Sequence, residues 1–383
     1  MASVYDMLLS FQQAGQEFIE NYCIVNNNFF LLDDIEKMGS TEFGLRSKFS
    51  MPLKLYKYFP NKVVTDKDDD GNETQVNYSL QALETNQVYL NSPDQFDDVF
   101  DSDISISWDD YLLFRLKRYA RWYGCDVEMN QKIEEVSFAL AEKMYLALTE
   151  KGSIVEGLNC DGCSEGERLS AHSFGLQVQL ELKDTNDWHL TFAKILNKEY
   201  NDFIRYVQQR FRVTCFATSP FSQLMWGGPY ADCHRGFCIE YTIEPNNPEY
   251  KEAYYNLFPM IYCKTRKQVS ERLLRIQDAD FPPEVLWDIY FYGALRKSID
   301  WAFQNEWRLL LPNTRNSPGF TMPFFPISKV YLGNRMPAEK RKAVIDICHS
   351  KNIPYIGVTR STSRYEMEEC KMLCENCPSY ARR

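Results

Sequence analysis

Hydrophobic positions along this chain switch between alternate spacing and three-to-four-residue spacing, and the switches divide it into elements. Spacing predicts an amphipathic helix from Val4 to about Asn26, followed by an irregular acidic stretch to residue 50. Extended segments are expected at Leu53–Tyr58 and Val88–Leu90. Between them lie a charged turn at Asp66–Asn72, with Asp70-Gly71, and a short helix at Ser79–Asn86. A turn follows at Ser92–Phe100. Helical spacing then governs Asp109–Tyr123, Asn130–Lys151 and Asn186–Phe211. In the last of these, Trp188, Ile195, Leu196, Phe203, Ile204, Val207 and Phe211 share one face. Gly152–Gly175, rich in Gly and Ser, reads as a flexible loop.

β-rich runs return at Val213–Thr218 and Gly236–Ile243. Helices are expected at Lys267–Asp278 and at Pro283–Phe303, whose paired prolines suit a helix start. A strand at Glu306–Leu311 precedes a strand–helix–strand unit at Val330–Leu332, Pro337–Lys351 and Tyr355–Val358. The pattern defines an α+β protein with a mixed, mostly antiparallel sheet, flanking helices and a helical insertion at about 109–211. It implies an N-terminal helical extension over 1–50, a single α+β domain over 51–360 and a Cys-rich tail over 361–383.

Composition narrows the function. The chain has 383 residues, 44% hydrophobic and 25% charged, with an aromatic share of 15% high enough to fill a core and also line a pocket. A formal net charge of −10 disfavours a nucleic-acid partner, which needs a phosphate-neutralising face. Met7-Leu8-Leu9 is too short for a secretory signal, and no apolar stretch could span a bilayer. The expectation is a cytoplasmic protein with no membrane partner. Its twelve cysteines would then be mostly reduced.

Two segments concentrate chemistry. The connection between Val213–Thr218 and Gly236–Ile243 holds Ser219, Ser222, Trp226, Tyr230, Asp232, Cys233, His234 and Arg235. It reads either as a cleft loop aimed at a ligand or as a well-packed loop with one core Trp. His234 is a structural hydrogen-bonder or a base. If Gln304–Leu311 is extended, one face carries Asn305, Trp307, Leu309 and Leu311, and the other carries Gln304, Glu306, Arg308 and Leu310. The polar face is either a solvated edge or a carboxylate poised over a cleft.

Four motifs, in order, resemble a bacterial family, domain of unknown function 2971. They are Leu55-Tyr56-Lys57-Tyr58, the turn Phe96-Asp97-Asp98-Val99-Phe100-Asp101, the loop Met225, Trp226, Tyr230, His234 and Gly236, and finally Gln304, Glu306, Trp307 and Arg308. The third is the most specific. In this chain Asp97 stands in place of Asn, Val99 in place of Pro and Gln304 in place of the first Glu. Gly227-Gly228-Pro229 puts one extra residue between Trp226 and Tyr230 relative to that motif. More distantly, the order of motifs resembles that of ADP-ribosyltransferases, which carry a late Glu-x-Glu or Gln-x-Glu on a strand.

That resemblance implies an NAD-dependent ADP-ribosyltransferase-like enzyme, with a setting as a toxin or phage-defence effector. NAD would be the substrate, with a macromolecular acceptor of unknown kind. Glu306 would stabilise the oxocarbenium-like centre and Gln304 would orient the acceptor. Tyr230 and Trp226 would stack on nicotinamide or adenine, and Lys57 or Arg308 would pair with pyrophosphate. Tyr56, Tyr58, Asp97, Asp98 and Ser219 complete the expected ligand-binding set, and Tyr230 and His234 join Glu306 and Gln304 as the expected catalytic groups. No Gly-x-Gly-x-x-Gly loop supports a Rossmann mode. One alternative is a non-catalytic module that binds a nucleotide, small molecule or peptide. Another is a metal-assisted nuclease using the acidic turn. Cys160, Cys163, Cys374 and Cys377 have the pairwise spacing of zinc ligands and could instead be reduced spectators.

Overall fold

The computed structural model describes residues 20–67, 72–96, 98, 100–128, 130–159, 163–266, 268, 274 and 283–370. Its contacts fall into two units. One takes the described residues within Met1–Ser102, Gln209–Arg266 and Gly293–Arg383, and the other those within Asp103–Gln208 and Lys267–Tyr292.

The first unit holds a ten-stranded sheet. Its path runs Gly319–Pro323, Gln87–Asn91, Phe211–Ala217, Lys54–Phe59, Phe237–Thr242, Ile327–Leu332, Tyr355–Arg360 and Met367–Glu369. Glu306–Pro312 branches from Phe211–Ala217 and also pairs with Leu257–Pro259. Pairing is antiparallel except between Ile327–Leu332 and Tyr355–Arg360. A smaller sheet joins Arg296–Ser298, Ile261–Cys263, Tyr22–Val25 and Asn28–Leu31. The molecule is thus α+β with mixed, mostly antiparallel sheets.

The branch positions the site. Phe211–Ala217 pairs with Glu306–Pro312 along its whole length, yet meets Lys54–Phe59 only at Tyr56↔Ala217. Where those neighbours part, their side chains line an opening instead of a continuous sheet face. Behind the sheet, Trp307, Leu309 and Leu311 pack with Phe216, Ile239, Tyr241, Phe324 and Val330 in one buried cluster. Each such side chain contributes about 1.5–3 kcal/mol by leaving water.

The second unit is helical: Trp108–Trp122, Ile133–Lys151, Glu165–Thr185 and Trp188–Gln208 surround a core that includes Leu116, Tyr119, Leu140, Phe174 and Phe192. Tyr119 and Phe174 rings stack in parallel with centroids 3.5 Å apart. Among the described residues, no helix is long and apolar enough to cross a membrane.

Several expectations are corrected. Tyr22–Val25 is a strand, not the end of an N-terminal helix, because β-branched Ile24 and Val25 pair against Ile261–Cys263. The acidic stretch after it is a helix, Leu32–Phe49, kinked at Gly39 where φ is 70°. The second half of the expected Gly152–Gly175 loop is instead the start of a helix, Glu165–Thr185. Ser164 caps it by accepting from the Glu167 amide, and the Glu167 carboxylate accepts from the Ser164 amide. Pro283–Phe303 is not one helix: it gives way to a π-helical turn at Tyr290–Ala294, a strand at Arg296–Ser298 and a 3-10 segment at Ile299–Gln304. The Lys267–Asp278 helix falls mostly outside the described residues.

Candidate functional site

The opening between the parted strands is a cavity of about 1050 Å³. Tyr56, Lys57 and Tyr58 come from one strand; Cys215, Phe216 and Ala217 come from the other. Phe96, Phe100, Trp301 and Phe303 supply aromatic wall, and Tyr230, Gln304, Lys297 and Glu306 supply polar groups.

Glu306 opens the strand, and its amide donates to the Tyr262 hydroxyl at 2.8 Å. Its carboxylate is almost fully buried and accepts from Arg308 Nε at 2.6 Å and Lys297 Nζ at 3.4 Å. Arg308 is completely buried behind it. Its Nη1 and Nη2 form a two-point pair with Asp101 at 2.6 and 2.7 Å, and Nη1 also donates to Ser102 Oγ and the Ala294 carbonyl. Lys297 closes the ring 3.0 Å from Asp101 Oδ2. Two carboxylates and two cations thus share one water-poor volume.

Titration follows from that geometry. Burial alone would raise both carboxyl groups, but Arg308 and then Lys297 outweigh it, holding Asp101 and Glu306 below their ordinary values. Burial would depress Lys297, yet Glu306 and Asp101 keep it raised. Both acids are therefore ionised at neutral pH. Lys57 differs. Burial lowers its pKa, and its Nζ donates to Thr214 Oγ1 at 2.7 Å and the Cys215 carbonyl at 3.1 Å.

Gln304 connects this network to the loop. Its Oε1 accepts from Lys297 at 3.0 Å while its Nε2 donates to the Tyr230 hydroxyl at 2.7 Å. Gln304 precedes the strand in the 3-10 segment, and Asn305 between it and Glu306 has φ 39°. The turn, not strand alternation, aims Gln304 at the same cavity. Of the two readings of the polar face, the solvated edge does not hold: Glu306 through Leu311 are buried on both faces.

The loop itself is held against strain. Asp232, Cys233 and His234 have φ of 46°, 51° and 69°, a left-handed run that costs of order 1–3 kcal/mol per non-glycine residue. The Asp232 carboxylate accepts from Arg235 at 3.0 and 3.1 Å and lies 3.1 Å from Lys62. His234 and Gly236 amides donate to the Trp226 and Ala231 carbonyls, each at 2.8 Å. Gly236 must lack a side chain: a Cβ there would lie 2.0 Å from the Phe59 carbonyl oxygen.

The structure brings Tyr56, Lys57, Tyr58, Asp98, Tyr230, His234, Gln304 and Glu306 to one cavity. It places others apart from the cavity wall. Trp226 is fully buried, donates to the Pro220 carbonyl at 2.7 Å and meets the Tyr58 ring edge-on, so its indole is a core strut and not a stacking platform. Arg308 is sealed behind Glu306. The Ser219 carbonyl accepts from the Tyr58 hydroxyl at 2.8 Å, and its hydroxyl accepts from the Phe221 amide. Asp97 and, of the cysteine quartet, Cys160, Cys374 and Cys377 lie outside the described residues. Among the described residues no group of three or more His, Cys, Asp or Glu is arranged to hold a metal ion. Sequence reasoning missed Lys297, hidden in an expected helix, and Asp101, which closes the Phe96–Asp101 motif and carried the signal.

A family model described as a protein of unknown function (DUF2971) matches residues 225–309. That span carries the loop and strand motifs, and the match supports the family resemblance read from them. No curated protein and no solved structure matches the chain.

Proposed function

We propose that this cavity binds a nucleotide-sized ligand and cleaves the nicotinamide–ribose bond of NAD, passing ADP-ribose to water or to an acceptor. One observation carries the reading: an ionised carboxylate, Glu306, sits in the wall of an aromatic cavity of about 1050 Å³. That volume lies at the upper end of ordinary small-ligand sites.

Nicotinamide leaves with the electron pair of the broken C–N bond, and positive charge develops on the ribose. Glu306 opposes that charge. The nucleophile's oxygen bonds to the same carbon and its proton passes to solvent water. Gln304 and Tyr230, hydrogen-bonded to each other, orient the sugar and the acceptor, while Trp301, Phe303, Phe96 and Phe100 offer ring faces and edges. Arg308 acts through Glu306 by fixing its carboxylate. The toxin or phage-defence setting follows from the resemblance alone and belongs to the same proposal.

A second reading rests on a specific observation: both Glu306 oxygens already accept from cations. A carboxylate so neutralised suits a module that binds its ligand without cleaving it. Thermal shift with NAD and ATP, combined with nicotinamide release, separates the two. Binding of NAD with release supports the enzyme, and binding without release supports the module. Neither binding nor release contradicts both.

A further inference from the structure

The strand pair at the far end of the large sheet forms a second cavity, about 900 Å³ in volume. Tyr355–Arg360 and Met367–Glu369 are antiparallel, with Arg360 opposite Met367. Their connection is closed by the Ser361 amide donating to the Glu366 carbonyl at 2.9 Å. Three hydroxyl-bearing residues in succession, Ser361, Thr362 and Ser363, line the cavity, flanked by Arg360 and Arg364. Arg335 reaches the same lining from the segment after Ile327–Leu332, where its amide is pinned to the His234 carbonyl at 3.0 Å.

The charges do not cancel. Arg364 is paired with Glu366 at 3.0 Å. Arg335 and Arg360 are exposed and line the cavity without an ion-pair partner among the described residues. Burial lowers the His234 pKa, and the positive charge of Arg335 lowers it further, as expected where positive potential gathers. His234 Nδ1 is buried with no hydrogen-bond partner among the described residues.

We infer that this second cavity is a binding site for a phosphoryl group of a small ligand, held by Arg335, Arg360 and the Ser361–Ser363 hydroxyls. Two guanidinium forks and several short hydroxyl donors match the tetrahedral oxygens of phosphate, whose charge-assisted hydrogen bonds are about twice as strong as neutral ones. The site stands apart from the glycosidic chemistry proposed above, although His234 and Gln223 line both cavities.

Inorganic pyrophosphate tests it, because pyrophosphate carries neither nicotinamide nor a glycosidic bond. Calorimetric titration of the full chain at low salt is expected to give one site. Binding should weaken at least tenfold in Arg335→Gln and in Arg360→Gln, with melting temperatures unchanged because both side chains are exposed. Arg205→Gln, an exposed arginine of the helical unit, is expected to bind as the wild type does. No pyrophosphate binding by the wild type would overturn the inference. So would equal weakening in all three variants, which would assign the effect to net charge. Failure of NAD cleavage with pyrophosphate binding intact would leave the site standing.

Discussion

Asp101 and Arg308 lie 207 residues apart in the chain and meet in a two-point ion pair of 2.6 and 2.7 Å. The pair joins the acidic turn to the strand carrying Glu306, and so fixes the cavity's polar wall. Removing one partner leaves the other charged and buried, at a cost of about 3–5 kcal/mol. Urea titration of Arg308→Met should show a loss of that size. A loss below about 1 kcal/mol would mean the pair is solvated.

Acid should weaken the fold through the same groups. Asp101 and Glu306 titrate lower when folded than when unfolded. Their contribution is complete above the unfolded carboxylate values of about 4 and is lost as pH falls through the lower folded values. Below about pH 4, Asp101→Asn should therefore show a flatter fall in stability than the wild type. Parallel curves would contradict the assignment.

Lys48 gives the opposite window. Its Nζ donates to the Tyr254 carbonyl at 3.1 Å and to the Leu257 carbonyl, and burial lowers its pKa from 10.5 to about 7. Between those values the unfolded chain binds the extra proton, so stability should rise with pH. Lys48→Met should abolish that rise. Its persistence would place the titration elsewhere.

Gly236 is a packing requirement. A Cβ would meet the Phe59 carbonyl oxygen at 2.0 Å. Gly236→Ala should cost about 1–3 kcal/mol or more, as overpacking does, and calorimetric melting reads it directly. An unchanged melting temperature would show that the loop yields freely.

Much of the sheet was legible because short β-rich apolar runs are a local signal. Lys54–Phe59, Phe211–Ala217, Phe237–Thr242 and Glu306–Pro312 all sit within a few residues of where pattern places them. The convergence of Tyr58, Tyr230, His234 and Glu306 was legible through motif order. Lys297 was not, because a π-helical turn and a short strand interrupt what spacing presents as one helix. Nor was the burial of Arg308, since its partner Asp101 is distant in sequence and only tertiary pairing makes an arginine acceptable there. The Glu306 carboxylate accepts from both Arg308 and Lys297, so Glu306→Gln should cost stability as well as chemistry.

The decisive measurement is nicotinamide release from NAD by wild type and Glu306→Gln at a temperature where both are folded. Release by the wild type is expected, with a fall of about a hundredfold or more in the variant, as when a transition-state electrostatic contact is lost. Wild-type protein that releases no nicotinamide, or a folded Glu306→Gln protein with full activity, would contradict it.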